Sequence, residues 1–171
     1  LVAYFMATAV RRLQMKEEGK DYKTSAIIHV DIDKKNHDWQ RRLVVKLIKS
    51  IESAILDEDR SDLRIWIAME NVYKDFLDSN EKGRKSGLIT VTVPTKDEIL
   101  NEMRTIFSPK HSNYHVQPVN SDEDMVSILD EETGELKLEC AATIFIGGNI
   151  LDRGVTIKNM LCFFYGRNPK N

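Results

Sequence analysis

The sequence predicts an α/β fold with a mostly parallel central sheet flanked by helices on both faces. Apolar runs typical of strands alternate along the chain with longer segments of helical periodicity, and such alternation builds parallel sheets. Residues 144–146 are apolar at consecutive positions, as in a strand buried on both faces, and Gly147 and Gly148 end this run abruptly. Four polar residues follow within one short segment, namely Asn149, Asp152, Arg153 and Thr156. Open α/β sheets bind their ligands in such loops, at the carboxyl ends of strands.

The individual elements follow from hydrophobic periodicity and local stop signals. Apolar residues at spacings of three and four predict helices, and short apolar or alternating runs predict strands. Thr95 and Glu98 form the sequence of a capping box, which begins a helix, and Pro94 ends the alternating run before it. The predicted elements are a helix over residues 1–16, a strand over 25–31, helices over 39–55 and 65–77, a loop over 80–87, a strand over 88–93, a helix over 95–107, a strand over 114–119, a hairpin or surface excursion around 130–134, and strands over 144–146 and 160–165. Asn36 or Asp38 is the predicted cap of the second helix.

Composition indicates one globular domain. The chain has 171 residues, of which 42% are hydrophobic and 30% are charged, and its net charge is −2. A chain of this length buries a sizeable core. A near-neutral charge argues against a strongly electrostatic nucleic-acid binder and leaves a local basic groove open. We expect a single domain over residues 1–171, and because the chain opens on Leu1 we expect it to be a piece of a larger protein.

The two cysteines and the first ten residues indicate the cellular location of the protein. Cys140 and Cys162 lie in apolar, strand-like runs, which predicts reduced, buried thiols and a cytoplasmic location. The apolar residues 1–10 are about half the ~20 residues that span a bilayer. They also lack the basic residues and cleavage site of a signal peptide. We therefore expect no membrane association.

The loop after residue 146 carries the clearest chemistry in the sequence. Backbone N–H groups exposed by Gly147 and Gly148 can bind phosphate oxygens. Arg153 can pair with a phosphate through two hydrogen bonds, and Asp152 or Thr156 can bind a ribose hydroxyl. A structural ion pair between Asp152 and Arg153 is the alternative, and spacing alone does not separate these interpretations.

Three other groups of residues admit both a functional and a structural interpretation. The polar side chains at the end of the first predicted strand and in the segment after it can ligate a metal or simply line a loop, and a nuclease would add a neighbouring lysine. Those residues are His29, Asp31, Asp33, His37, Lys34 and Lys35. Basic side chains in residues 39–55 and 80–87 can track a phosphate backbone, although solvated surface charge is the commoner arrangement. Those residues are Arg41, Arg42, Lys46, Lys49, Lys82, Arg84 and Lys85. Trp39 and Trp66 occupy core-like helical positions, which favours packing over base stacking.

A self-sufficient ATPase is excluded by a missing motif. The Walker pattern Gly-x-x-x-x-Gly-Lys-Ser/Thr is absent from the whole chain. The chain therefore has no phosphate-binding loop of its own for an independent ATPase.

Residues 144–157, Ile-Phe-Ile-Gly-Gly-Asn-Ile-Leu-Asp-Arg-Gly-Val-Thr-Ile, together with the apolar residues 160–165, resemble the signature of the Z-one domain family. Members of that family are candidate endonucleases of bacterial restriction and repair-like systems. Residues 5–13, 25–30 and 119–121 are also similar to the family, so the resemblance extends over most of the chain.

The same stretch resembles motif V of superfamily two helicases, in which an Arg-Gly dipeptide follows a strand end. This resemblance implies a three-layer RecA-like domain of the P-loop NTPase type, with residues 25–30 as the motif IV strand. It implies two sets of binding residues and neither a catalytic residue nor a metal ligand. The nucleotide set is Asp152, Arg153, Gly154 and Thr156. The nucleic-acid set is Ser25, His29, Gly147, Gly148 and Asn149.

The chain lacks two parts that such helicases carry, namely the first RecA-like domain with its Walker motifs and the motif VI segment with its arginine finger. The resemblance thus implies the second RecA-like, helicase C-terminal-like domain of a DNA-dependent ATPase or translocase from a restriction, defence or DNA-repair system. ATP and magnesium are implied for the full-length protein only, and the implied partners are the missing first RecA-like domain and DNA. The alternatives are a non-catalytic protein- or DNA-binding α/β module and a metal-dependent endonuclease domain.

Overall fold

A computed structural model describes residues 1–29, 34–56, 62–110, 113–119, 121–147 and 156–166, without the side chains of residues 34–37 and 122. Its elements are α1 (Val2–Glu17), β1 (Thr24–His29), α2 (Lys34–Leu56), α3 (Leu63–Lys85), α4 (Lys96–Phe107), β2 (Tyr114–Val119), α5 (Asp122–Ile128), β3 (Ala142–Gly147) and β4 (Met160–Tyr165). The chain divides into two compact units. The helical unit is Leu1–Tyr22 with Ile48–His111, and the sheet unit is Lys23–Leu47 with Ser112–Asn171.

The sheet unit contains a four-stranded sheet in the order β2-β3-β1-β4. All three strand pairings are parallel, and Ile27 of β1 lies between Phe145 of β3 and Phe163 of β4. Every residue of β3 is buried, as the consecutive apolar residues predicted. The predicted α/β class with a mostly parallel central sheet is confirmed.

One face of the sheet packs against α5 and the segment that follows it. Ile27, Val119, Met125, Leu136 and Phe145 form a buried apolar cluster on this face. A capping box begins α5, since the Ser121 hydroxyl accepts from the Asp124 amide and the Asp124 carboxylate accepts from the Ser121 amide, both at 3.1 Å. The sequence prediction missed this helix. After it, a single antiparallel bridge joins Leu129 to Leu136, so the predicted excursion around residues 130–134 is present and its first arm is largely helical.

The helical unit is organised by α1, which packs against α4 and α3. Phe5 and Phe107 are both buried, and their ring centroids lie 4.8 Å apart. The predicted capping box at the start of α4 is confirmed, because Thr95 and Glu98 exchange both hydrogen bonds. Two described helices, α2 and α3, have 23 residues each, but no described helix combines the length and the hydropathy of a membrane span.

The structure corrects the prediction for residues 80–93. Helix α3 continues through the predicted loop to Lys85, stabilised by a Glu81–Lys85 ion pair one turn apart at 2.6 Å. Gly87, at φ +69°, then turns the chain away in the left-handed region. Residues 88–93 form no strand, because in the described part of the chain no strand pairs with them.

Two predictions for α2 are also wrong. The helix begins at Lys34, so Asn36 and Asp38 lie inside its first turns rather than at a cap. Trp39 is 58% exposed rather than a core residue, whereas Trp66 of α3 is half-buried. Only half of the six apolar positions that predict α2 are buried. The buried residues are Ile48, Ile51 and Ile55, and the exposed ones are Trp39, Leu43 and Leu47. The periodicity therefore identifies core positions only in the second half of the helix.

Neither cysteine is in a disulfide, and only one of them is shielded. Cys140 is half-buried and Cys162 is exposed, both as free thiols. The prediction of a buried Cys162 is wrong because β4 is the outer strand of the described sheet. Burial and the neighbouring Glu139 carboxylate raise the pKa of the Cys140 thiol.

We expect iodoacetamide to alkylate Cys162 about tenfold faster than Cys140 in the folded protein at pH 8, because the thiolate is the reactive form and Cys140 is both shielded and harder to ionise. Because its pKa is raised, the reaction of Cys140 should reach its half-maximal rate at a higher pH in the folded than in the urea-unfolded chain. Mass spectrometry of tryptic peptides measures both rates. Equal rates in the folded chain would contradict this placement.

Candidate functional site

The strand order places a topological switch point between β1 and β3. The strand that follows β1 in sequence is β2, which lies beyond β3, and the strand that follows β3 is β4, which lies beyond β1. The two connections therefore run in opposite directions from adjacent parallel strands. Open α/β sheets bind ligands in the crevice at the carboxyl ends of such a pair. His29 and Gly147 are the last residues of these two strands.

His29 is held firmly at this edge. Its side chain is fully buried, and its imidazole stacks on the Tyr165 ring of β4 with centroids 5.0 Å apart and planes at 22°. Its backbone carbonyl accepts a hydrogen bond of 2.9 Å from the Gly166 amide. Because the imidazole is covered, His29 is placed to support the edge of the sheet and the segments that leave it rather than to lie open to solvent.

Gly147 ends β3 beside β2, where it is paired with Val119. It is buried, and so are the residues before it in the strand. The chain enters the polar loop at this position from the most buried strand of the sheet. Gly147 is therefore a fixed point from which the predicted loop starts.

Ser25 lies near the amino end of β1, at the opposite end of the strand from His29. Its hydroxyl donates to the Lys158 carbonyl at 2.7 Å, and its amide donates to the Asn159 carbonyl at 3.1 Å. Asn159 adopts φ 51° in the turn before β4 and donates from its side chain to the Lys23 carbonyl at 2.9 Å. At the usual rise of a strand, Ser25 lies about 13 Å from His29. The structure therefore does not bring Ser25 together with His29 and Gly147, and the contacts of Ser25 fasten β4 to β1.

Thr156 is the first residue after the predicted loop that the structure describes. Its side chain is exposed, and its carbonyl accepts from the Leu136 amide at 3.0 Å in a parallel bridge between Glu135 and Thr156. Lys158 forms an ion pair with Glu135. Leu136 is in turn part of the buried cluster on Phe145. The excursion after α5 thus anchors the far end of the loop to the sheet.

The other predicted site residues lie outside the described part of the chain. They are Gly148 and Asn149 of the nucleic-acid set and Asp152, Arg153 and Gly154 of the nucleotide set. Asp31 and Asp33, and the side chains of Lys34, Lys35 and His37, are also outside it. Within the described residues, no group of three His, Cys, Asp or Glu side chains is placed to hold a metal ion.

The basic residues that can track a phosphate backbone are mostly solvated surface charge. Arg41, Arg42 and Lys46 are exposed on α2, and Lys49 is paired with Glu52 at 2.6 Å. Lys82, Arg84 and Lys85 form the exposed last turn of α3, where cations oppose the negative end of the helix dipole.

Two supports of the site were missed by sequence reasoning. Tyr165, which stacks on His29, was predicted only as part of an apolar strand. Glu135 and Leu136, which hold Thr156, were predicted only as part of an excursion. The strand order that brings Tyr165 to His29 is not written in any local pattern, so no sequence signal could identify the stacking. The apolar Leu136 within a polar stretch was the one available signal for the second contact.

The fold defines the class of the protein, an α/β protein with a parallel sheet. A family model described as the Z1 domain matches residues 1–171, and the chain belongs to this family. The Z-one resemblance of the sequence is thereby confirmed over the whole chain. No curated protein and no solved structure shows significant similarity to it.

Proposed function

We propose that this chain is the second RecA-like domain of a DNA-dependent ATPase or helicase-like translocase that serves a restriction, defence or DNA-repair system. The observation that carries the proposal is the position of Gly147, which ends the most buried strand at the switch point and leads directly into the Gly-Gly-Asn…Asp-Arg-Gly loop. The proposal extends to Asp152, Arg153, Gly154 and Thr156 as nucleotide contacts and to Gly147, Gly148 and Asn149 as nucleic-acid contacts.

In this proposal one loop touches both ligands. Its first residues face DNA from the end of β3, and its last residues approach a nucleotide held against a first RecA-like domain. The far end of the loop is tied to the sheet through Thr156 and Leu136, so a displacement at one ligand is transmitted to the other through a segment fixed at both ends. We assign magnesium, like the Walker motifs, to the first RecA-like domain, as the helicase resemblance implies.

Two predicted nucleic-acid contacts take different roles in this scheme. The buried His29 imidazole, stacked on Tyr165, positions the carboxyl end of β1 instead of touching DNA. Ser25 joins β1 to the turn before β4 at the opposite edge. Both residues would act through the fold.

Replacing Arg153 with alanine in the full-length protein is expected to reduce DNA-stimulated ATP hydrolysis about a hundredfold, since a lost cationic donor at a phosphoryl-transfer site costs this much. The matched control is Arg64→Ala, because Arg64 is a strongly exposed arginine of α3 whose ion pair is with Asp62. Release of phosphate, with and without single-stranded and duplex DNA, is the measurement. Unchanged DNA-stimulated hydrolysis in Arg153→Ala would count decisively against the proposal.

The 171-residue chain supplies a second arm of the same test. It should hydrolyse no ATP by itself, because it carries no Walker loop. Metal-dependent ATP turnover by this chain would contradict the assignment as half of a shared site. Magnesium-dependent DNA cleavage by it would favour the endonuclease alternative instead.

A further inference from the structure

Residues 88–93, here called the strap, have the sequence of a β-strand yet pair with no strand in the described part of the chain. Ile89, Val91 and Val93 alternate with Thr90 and Thr92, and β-branched residues at a period of two are a strong strand pattern. From residue 89 to residue 95 the backbone makes no turn, bend, helix or ladder. The strap therefore resembles a strand in its composition and in its unbent backbone, but none of the described strands pairs with it.

One edge of the strap is fastened to α3. The Leu88 and Ile89 amides donate to the Gly83 carbonyl at 2.9 and 3.3 Å, and the Asn80 side chain donates to the Val91 carbonyl at 3.0 Å. Ile89 packs closely against Gly83: a β-carbon added at Gly83 would lie 2.3 Å from the terminal methyl group of Ile89. This edge of the strap is thus held in place before any partner arrives.

The other edge faces α1 and is mostly unused. In an extended backbone, the N–H and C=O groups of one residue point to the same side and alternate along the chain, so Thr90 and Thr92 share this edge. The Thr92 carbonyl accepts from Gln14 of α1 at 3.1 Å, and Arg11 donates to the same Gln14 amide at 2.8 Å. Among the described residues, the Thr90 amide, the Thr90 carbonyl and the Thr92 amide have no hydrogen-bond partner.

A groove runs along this free edge. It has a volume of about 720 Å³ and is lined by α1 on one side and by residues 90–95 on the other. A space of this size suits a short peptide segment. Its ionised lining comprises three carboxylates and two cations, and one of the carboxylates, that of Glu18, is paired with Lys20. Because the lining has no excess of positive charge, it disfavours a phosphate backbone and favours a neutral or basic polypeptide. The ionised side chains of the lining are Glu17, Glu18, Glu98, Arg11 and Lys16.

We propose that the strap is a docking edge for an extended peptide strand of a partner protein. The peptide lies in the groove beside α1 and adds to Thr90 and Thr92 through main-chain hydrogen bonds, the mode of strand addition at a free edge. Affinity comes from main-chain pairing with a backbone that α3 already holds in place. This interaction lies within the helical unit and does not depend on the nucleotide or DNA contacts proposed above.

The test uses a fluorescein-labelled peptide, Lys-Val-Thr-Val-Thr-Val-Lys, whose alternation suits a strand and whose lysines suit the carboxylates of the groove. Its counterpart is N-methylated at every central residue, which keeps the side chains and removes the main-chain donors. We expect fluorescence anisotropy to detect binding of the unmodified peptide, a loss of at least about tenfold on N-methylation, and slower amide exchange at Thr90 and Thr92 in the complex. No binding, or equal binding of both peptides, would overturn the proposal.

Two proline variants distinguish the edges. Thr92→Pro removes an amide of the groove edge and should weaken peptide binding about tenfold, whereas Val91→Pro removes one from the edge facing α3 and should change it less than about twofold. Circular dichroism confirms that both variants are folded. Equal losses in the two variants contradict pairing along the groove edge. The proposal is also contradicted if labelled oligothymidylate, and not the peptide, slows amide exchange at Thr90 and Thr92. That result would make the groove a nucleic-acid site.

Discussion

Phe145→Ala is expected to lower the free energy of unfolding by about 3–5 kcal/mol, the cost of removing a fully buried aromatic ring from a packed core. Phe145 is 0% exposed and lies in the middle of the most buried strand. It contacts the cluster that includes Leu136, whose amide in turn bonds to Thr156. The cavity left by the ring therefore opens beneath the anchor of the proposed ligand loop, and the substitution should also weaken any ligand bound there.

Urea unfolding followed by circular dichroism measures this loss as a shift of the midpoint at constant slope. Val126→Ala in α5 is the matched control, because Val126 is an apolar residue of the same unit that is 64% exposed. Its loss should stay below about 0.5 kcal/mol. Similar losses for the two variants would show that Phe145 is not in the packed core of the sheet unit.

The parts of this fold that were predictable from sequence are those that local physics decides. Consecutive apolar residues identified β3 because a strand covered on both faces needs no polar side. Thr95 and Glu98 identified the start of α4 because the capping box satisfies amides that the helix leaves free. In each case the cause lies within a few residues of its effect.

The failures have a common cause, which is that pairing and position are tertiary properties. The alternation of residues 88–93 predicts a strand, but a strand also needs a neighbour, and none of the described strands pairs with it. Trp39 lies at an apolar position of a helical pattern and is nevertheless exposed. Cys162 lies in an apolar strand whose place at the outside of the described sheet leaves it open.

The candidate site shows the same division. The end of β3 at Gly147 was predictable from the sequence, whereas its neighbours in the sheet were not. His29 meets this edge only because β1 lies beside β3, and Ser25, four positions earlier in the same strand, lies at the other edge of the sheet. A shared strand therefore does not imply a shared site, and strand order together with position along the strand decides which predicted residues meet.

In the helical unit, Arg12→Met is expected to cost about 2–3 kcal/mol, although methionine keeps much of the apolar stem. The Arg12 guanidinium donates to the Glu102 carboxylate of α4 at 2.7 Å and to the Tyr22 carbonyl at 2.9 Å. The side chains of Arg12 and Glu102 are only 18% and 10% exposed, so methionine leaves a largely desolvated carboxylate without its cation. Losing one partner of such a pair is more costly than losing both, because the remaining charge is left desolvated.

A double-mutant cycle with Glu102→Leu tests this explanation. If the cost comes from the stranded charge, the double variant should be more stable than the sum of the single losses predicts, by about 1–2 kcal/mol. The coupling should also persist in 1 M salt, since a shielded pair is screened weakly. The exposed pair Glu81–Lys85 provides the control cycle and should show no coupling that survives added salt. Strictly additive losses at Arg12 and Glu102 would instead mean that apolar packing between α1 and α4, centred on Phe5 and Phe107, holds the two helices together without help from the ion pair.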